Sequence, residues 1–275
     1  MGFKNEVDVD NNFSITELSI RGIENPTLHV FAKIEKIEPD VVIYFPTFTG
    51  DSYHPNHEQT RRSIDVGIPR EIAAHCLRTG LTFLAFSSSR VFDETEAFAS
   101  PNSAYSPKTA YGRLKVELER ELLPLNAKIL RLGKVLLPSD SIWQNWHRAT
   151  NGNDPVIIHQ ARYIAPVFAK EVAKAILNVI TSDSESQVFQ FSRNFEVSYL
   201  ELFRLFISLQ TDSKFDFVEF PRIKLLNGFE SHESLLSDTE LLSCLGEFNS
   251  SFNYFVEEVR IFGSLGSNEV FKSGK

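Results

Sequence analysis

Between residues 38 and 136 short apolar runs alternate with stretches of helical periodicity, and nothing else in the chain narrows the fold as much. "EPDVVIYFP" (38–46) is rich in β-branched residues and is read as a strand buried on both faces, the kind found in parallel sheets. "RRSIDVGIPREIAAHCLRTG" (61–80) carries apolar residues at helical spacing and closes on Gly80, a C-cap residue. "LTFLAFSSS" (81–89) is a second strand, "YGRLKVELERELL" an amphipathic helix, and "AKILRLGKVL" (127–136) a third strand. Strand, helix, strand, helix, strand at this spacing predicts βαβ units, a parallel sheet and right-handed crossovers.

The second half alternates less cleanly. "PVIIHQARYIAPVFAKEVAKAILNVI" (155–180) predicts a short strand, a proline-marked turn and a strong helix. "QVFQFS" (187–192) is a further strand, "SYLELFRLFISL" (198–209) a helix, and "SDTELLSCLGE" (237–247) a last helical piece. The expected organisation is an α/β, Rossmann-like domain over 1–135 with a return segment at about 155–193. A smaller substrate-side lobe is expected from 136–154 and 194–275.

Composition excludes several function classes. The net charge of -8 argues against nucleic acid as a partner, which needs clustered Lys and Arg. Cys76 and Cys244 stand apart without metal-ligand spacing, so a reducing, cytoplasmic setting is expected and a zinc site is not. His54 and His57 flank Pro55 with no third ligand nearby, and no metal is expected there either. No run of 18 apolar residues and no apolar leader occur, so no membrane association is expected.

In open α/β sheets ligands lie beyond the carboxyl ends of the strands. The serines 87–89, "PTFTG" (46–50) and the start of the 111–123 helix all fall on that edge. Tyr111 and Lys115 are four apart and therefore share a helix face. A cation beside a phenol favours the phenolate and makes the phenol a better proton donor near neutral pH. A hydroxyl at a strand end, Ser88, can hold a carbonyl oxygen beside that phenol, while Ser87 and Ser89 are read as backbone-capping hydroxyls. Together these groups suit reduction of a ketone.

With these residues in view, the sequence resembles the extended short-chain dehydrogenase/reductases that act on nucleotide sugars, most closely the dTDP-4-dehydrorhamnose reductase branch. The resemblance rests on "PDVVI", on "SSSRVFD" for the family's S-[ST]-x-x-V-F-D, and on "YGRLK" for Y-G-x-S-K. "ILRLGKV", "YIAPVFAKEVAKAI", "VFQFS", "EVSYLELF" and "HESLLSDTELLSCLG" follow in family order. It implies Tyr111 as acid/base, Lys115 as ribose-binding cation and Ser88 as hydroxyl partner. It further implies NADP or NAD as cofactor, with Asp10, Pro46 and Thr47 as additional cofactor contacts, and a nucleotide sugar as substrate. A homodimer or a partner enzyme is the protein partner such a relative admits.

The pattern breaks at the cofactor. Gly2, Gly22, Gly50, Gly67 and Gly80 are the only glycines up to residue 80, and no two of them form G-x-G or G-x-x-G. "KNEVDVDNN" aligns with the family's second strand, so the first strand, its glycine turn and the first helix have no counterpart. Three accounts follow: an active reductase, a non-catalytic sugar-nucleotide-binding or regulatory relative, or a chain whose true start lies upstream. "FSITELSI" (13–20) alternates as a strand would and is the candidate replacement for the missing central strand. Smaller departures are Asp65 for an Asn, Leu114 for the Ser of Y-G-x-S-K, and Glu94 for the Gly after V-F-D.

Elsewhere two readings stay open. Trp143, Trp146 and His147 either stack on a nucleotide base or fill a core. Arg162 either forks onto a diphosphate or sits on the surface. "KVELERELL" reads as a charged helix exterior.

Overall fold

The computed structural model describes residues 13–45, 57–151, 156–210, 223–226, 230–237 and 254–262. In chain order these form α1 (Pro26–Ile37), β1 (Val41–Tyr44), α2 (Glu58–Arg62), α3 (Ile68–Thr79), β2 (Thr82–Ser88) and α4 (Ala110–Leu122). Next come β3 (Lys128–Leu132), β4 (Val135–Leu136), α5 (Ser141–Asn151), β5 (Val156–His159), β6 (Arg162–Ile164), β7 (Val167–Phe168) and α6 (Ala169–Thr181). The last are β8 (Val188–Phe191), β9 (Val197–Ser198), α7 (Tyr199–Gln210), β10 (Ile223–Leu226) and β11 (Ser231–Glu233), with a helical stretch at 254–262. The chain divides into two compact units: Met1–Asp93, Pro101–Leu132 and Ala173–Gln190 in the first, Glu94–Ser100, Gly133–Val172 and Phe191–Lys275 in the second.

The first unit is the expected α/β, Rossmann-like sheet. Its strands run in the order β1-β2-β3-β8, with β1 to β2 and β2 to β3 in parallel register. Side chains alternate across β2, so Phe83 and Ala85 face one layer. There they meet Val30 and Ile34 of α1, Ile72 and Cys76 of α3, and Leu118 and Leu122 of α4. The expected cap at Gly80 holds. Pro26 opens α1 after Asn25, and Gly80 closes α3 at φ 74°, donating its N–H to Cys76 O.

Four expectations need correction. The single helix of 61–80 is broken by a π-helical turn, Ser63–Gly67. Pro69 explains it, because its ring cannot sit against the carbonyl four residues back, that of Asp65. Strand β1 is half-buried rather than buried on both faces, only Tyr44 being enclosed, and it ends the described sheet order. Residues 13–20 are irregular, with Phe13 and Ile15 exposed, so they replace no central strand; alternation makes no strand without a neighbour to pair with. The strand of 127–136 is interrupted at Gly133, whose Cβ would stand 2.7 Å from Ser192 Cβ; only glycine permits that approach. "KNEVDVDNN" and all of the 237–247 helix beyond Ser237 lie outside the described residues.

The second unit is built on short pairings: β4 with β7, β5 with β10, and β6 between β11 and β9. Its core is aromatic. Trp143 and Trp146 pack with Phe203, Phe206 and Phe262, and Trp143 donates its indole N–H to Leu137 O at 2.8 Å. The two tryptophans are therefore core residues and not faces offered to a base. His147, also buried, meets Phe206 edge to face. Arg162 is bound to the Glu233 carboxylate and lies over the Tyr199 ring, so neither a free fork nor a plain surface residue describes it. No described helix is long and apolar enough to cross a membrane.

Candidate functional site

The site is assembled on the carboxyl end of β2 and the first half of α4. Thr109 caps α4, its hydroxyl accepting the Gly112 N–H at 3.0 Å. Gly112 then lets the helix lie against the chain leaving β2: a Cβ there would stand 2.1 Å from Arg90 O. This contact gives the glycine of Y-G a steric reason, and it seats Tyr111 and Lys115 beside the strand end.

Lys115 reaches inward. It is only 5% exposed, and its ammonium donates to Phe86 O at 3.1 Å and stands 5.6 Å from the centre of the Tyr111 ring. The Phe86 carbonyl is its only hydrogen-bond partner among the described residues. Burial holds the Lys115 pKa below the ordinary lysine value, opposed by the carboxylates of Asp65 and Glu119. Asp65 is buried as well, on the π-helical turn packed against α4. Its charge, after burial itself, also pushes the Tyr44 phenol upward.

Ser88 ends β2, and its hydroxyl oxygen accepts the Arg90 N–H at 3.3 Å. That leaves the hydroxyl proton without an acceptor among the described residues, as a group meant to hold a carbonyl oxygen requires. The division of labour among the serines departs from expectation. Ser88, taken as the hydroxyl that holds a substrate carbonyl, also caps the backbone. Ser87, taken as a capping hydroxyl, instead donates to Glu119. Asp10, Pro46 and Thr47 lie outside the described residues.

A buried network beneath this edge escaped the sequence reading. Glu119 is fully enclosed, although "KVELERELL" reads as exterior. It receives Ser87 Oγ–H, the Tyr105 phenol at 2.7 Å, and Arg131 at 3.0 Å from Nε and 2.7 Å from Nη2. Arg131 also donates to Pro101 O at 3.1 Å and to Gln190 Oε1 at 3.0 Å. Burial, then the bond to Glu119, raises the Tyr105 pKa. The available signal was register: Tyr111, Lys115 and Glu119 fall at i, i+4 and i+8 on one stripe.

The departures can now be placed. Leu114 packs against the apolar core of the first unit. Glu94 sits at φ 63°, in the left-handed region that favours glycine, which accounts for the Gly at that point of the resembled pattern.

The donor set fits the ribose end of a nicotinamide dinucleotide. A buried ammonium with one backbone hydrogen bond has two N–H groups left for vicinal hydroxyls, and a phenol lies on the same face.

A family model described as the RmlD substrate binding domain matches residues 16–219. No curated protein matches the chain by sequence. Among solved structures, the dTDP-4-dehydrorhamnose reductase of Yersinia enterocolitica is similar at a TM-score of 0.68 and 18% identity, over 94% of this chain and 92% of that one. The Bacillus anthracis dTDP-4-dehydrorhamnose reductase in complex with NADP gives a TM-score of 0.67 at 14% identity, over 79% and 78%. The UDP-N-acetylglucosamine 4-epimerase of Methanobrevibacter ruminantium, in complex with UDP-N-acetylmuramic acid, gives 0.69 at 17%, over 87% and 81%. At these identities the likeness carries the fold.

Proposed function

The chain belongs to the RmlD substrate binding domain family, and on that footing we propose that it reduces the 4-keto group of a nucleotide-activated sugar with NADPH or NADH. The observation that carries this reading is the enclosed Lys115 ammonium, held by one backbone carbonyl and facing the Tyr111 ring at the end of Ser88's strand. Ser88 donates its hydroxyl proton to the substrate carbonyl oxygen. Tyr111 delivers the phenolic proton to that oxygen as charge develops on it. Lys115 stabilises the phenolate left behind and holds the ribose of the dinucleotide, with Asp10, Pro46 and Thr47 as the further contacts. The dinucleotide, when bound, supplies the hydride. The reaction is set in the cytoplasm, by a homodimer or beside a partner enzyme.

One observation favours a second reading, a non-catalytic binding or regulatory relative. No pair of the five glycines up to residue 80 makes a phosphate-cradling turn.

Turnover decides between the two. Purified chain, a dTDP-4-keto-6-deoxy sugar and NADPH or NADH are followed by loss of the reduced cofactor. Turnover that falls by about 10²–10⁴-fold in Tyr111→Phe supports the reductase. Tight nucleotide-sugar binding with no turnover under either cofactor supports the binding protein, and turnover unchanged in Tyr111→Phe overturns the roles given to these residues.

A further inference from the structure

We propose that Glu119 and Arg131 are positioning residues, which fix the rotation and height of α4 against β2 and thereby the gap between the Tyr111 phenol and the Ser88 hydroxyl. The proposal rests on the reductase reading and adds to it a role for two residues to which the resemblance gave none.

The placement of the pair is the first reason. Tyr111, Lys115 and Glu119 follow one stripe of α4, so Glu119 lies about 12 Å down the same face from Tyr111. Its partners come from three separate segments: Ser87 on β2, Arg131 on β3 and Tyr105 in the approach to α4. Arg131 extends the hold to Gln190 on β8 and to the Pro101 carbonyl. Ser87 is the residue next to Ser88, so its bond to Glu119 ties the helix to the strand end that carries the candidate oxygen clamp. The opposite end of α4 is pinned by the Gly112 approach to Arg90 O.

Energetics is the second reason. Two charges taken out of water gain little net stability over an apolar pair of the same shape. A guanidinium fork on a carboxylate is directional, however, where apolar packing tolerates rotation and sliding. With side chains 3% and 0% exposed, solvent does not dilute that directionality. A displacement of about 1 Å at a reacting centre costs about 100-fold in rate, so a device that fixes register has a measurable consequence there.

The test compares the full-length wild type with Glu119→Met/Arg131→Met, an apolar replacement of both partners, and with Arg131→Lys, which keeps the charge but not the fork. The double variant is expected to unfold a little below the wild-type urea concentration, because Ser87, Tyr105 and Gln190 lose partners, and well above Arg131→Met, while kcat for the keto sugar falls about 100-fold and KM changes little. A second readout needs no activity. With 3-fluorotyrosine at all seven tyrosines and the Tyr111 signal assigned through Tyr111→Phe, the wild type shows one narrow ¹⁹F resonance for Tyr111. The double variant shows a broadened or doubled one. Wild-type kcat together with a single narrow resonance in the double variant overturns the proposal. Should the double variant not fold, Arg131→Lys decides by the same two readings. Should the wild type reduce no sugar, the reductase reading fails by itself and the ¹⁹F comparison still decides whether the pair fixes α4.

Discussion

The two halves of α4 treat their buried charges in opposite ways. In the second half Glu119 is saturated: Ser87, Tyr105 and Arg131 all donate to it, and Arg131 has further acceptors of its own. In the first half Lys115 is also buried, yet among the described residues it has one backbone carbonyl as hydrogen-bond partner. Buried polar groups in a folded protein are largely satisfied, and one with donors to spare can take up a ligand or water. Under the proposed function the saturated half is scaffold and the unsatisfied half receives the ligand.

Breaking the saturated half alone gives the largest effect. Arg131→Met leaves the Glu119 carboxylate enclosed without its cation, and urea unfolding is expected to show a loss of about 3–5 kcal/mol. Replacing both partners restores most of it. In the first turn of α4, Gly112→Ala forces a Cβ toward Arg90 O, and a loss of about 1–3 kcal/mol is expected. Helix propensity alone favours alanine by about 1 kcal/mol, so the sign of the measured change reports the collision.

The unsatisfied half gives the smallest effect on stability and one of opposite sign. Because the folded-state pKa of Lys115 lies below 10.5, the unfolded chain binds more protons between that pKa and 10.5. Stability of the wild type therefore rises with pH through this window and is penalised below it. Lys115→Met removes the penalty: its Tm is expected to exceed the wild-type Tm near neutral pH, with the difference closing as pH approaches 10.5. Thermal melts across that range check it, and a Tm well below the wild type near neutrality would mean that the ammonium stabilises the fold.

Much of the first unit was legible because alternation of apolar strands and amphipathic helices is a local signal, and so was Gly80 at a helix end. The π-helical turn was not, because a lone proline within a helical pattern marks a break without saying which break. Residues 13–20 show the limit of periodicity: Phe13 and Ile15, and again Leu18 and Ile20, alternate as in a strand, but pairing depends on a neighbour that no local pattern specifies. Glu119 was hidden by its company, since Glu117, Arg120 and Glu121 around it are exposed or half-exposed and make the helix look charged throughout. Its partner Arg131 sits inside an apolar strand and its hydroxyl partners are distant in sequence, so only the tertiary fold brings them together. Trp143 and Trp146 were ambiguous because aromatic composition is the same in a core and in a base-stacking face.

Under the proposed function the two remaining N–H groups of Lys115 receive the ribose of a nicotinamide dinucleotide. Fluorescence titration of NADPH and NADH against the folded chain, with Lys115→Met alongside, tests it most directly. The account predicts micromolar binding of at least one of the two, weakened by tenfold or more in the variant. Absence of binding up to millimolar cofactor, or equal binding by the variant, would contradict it.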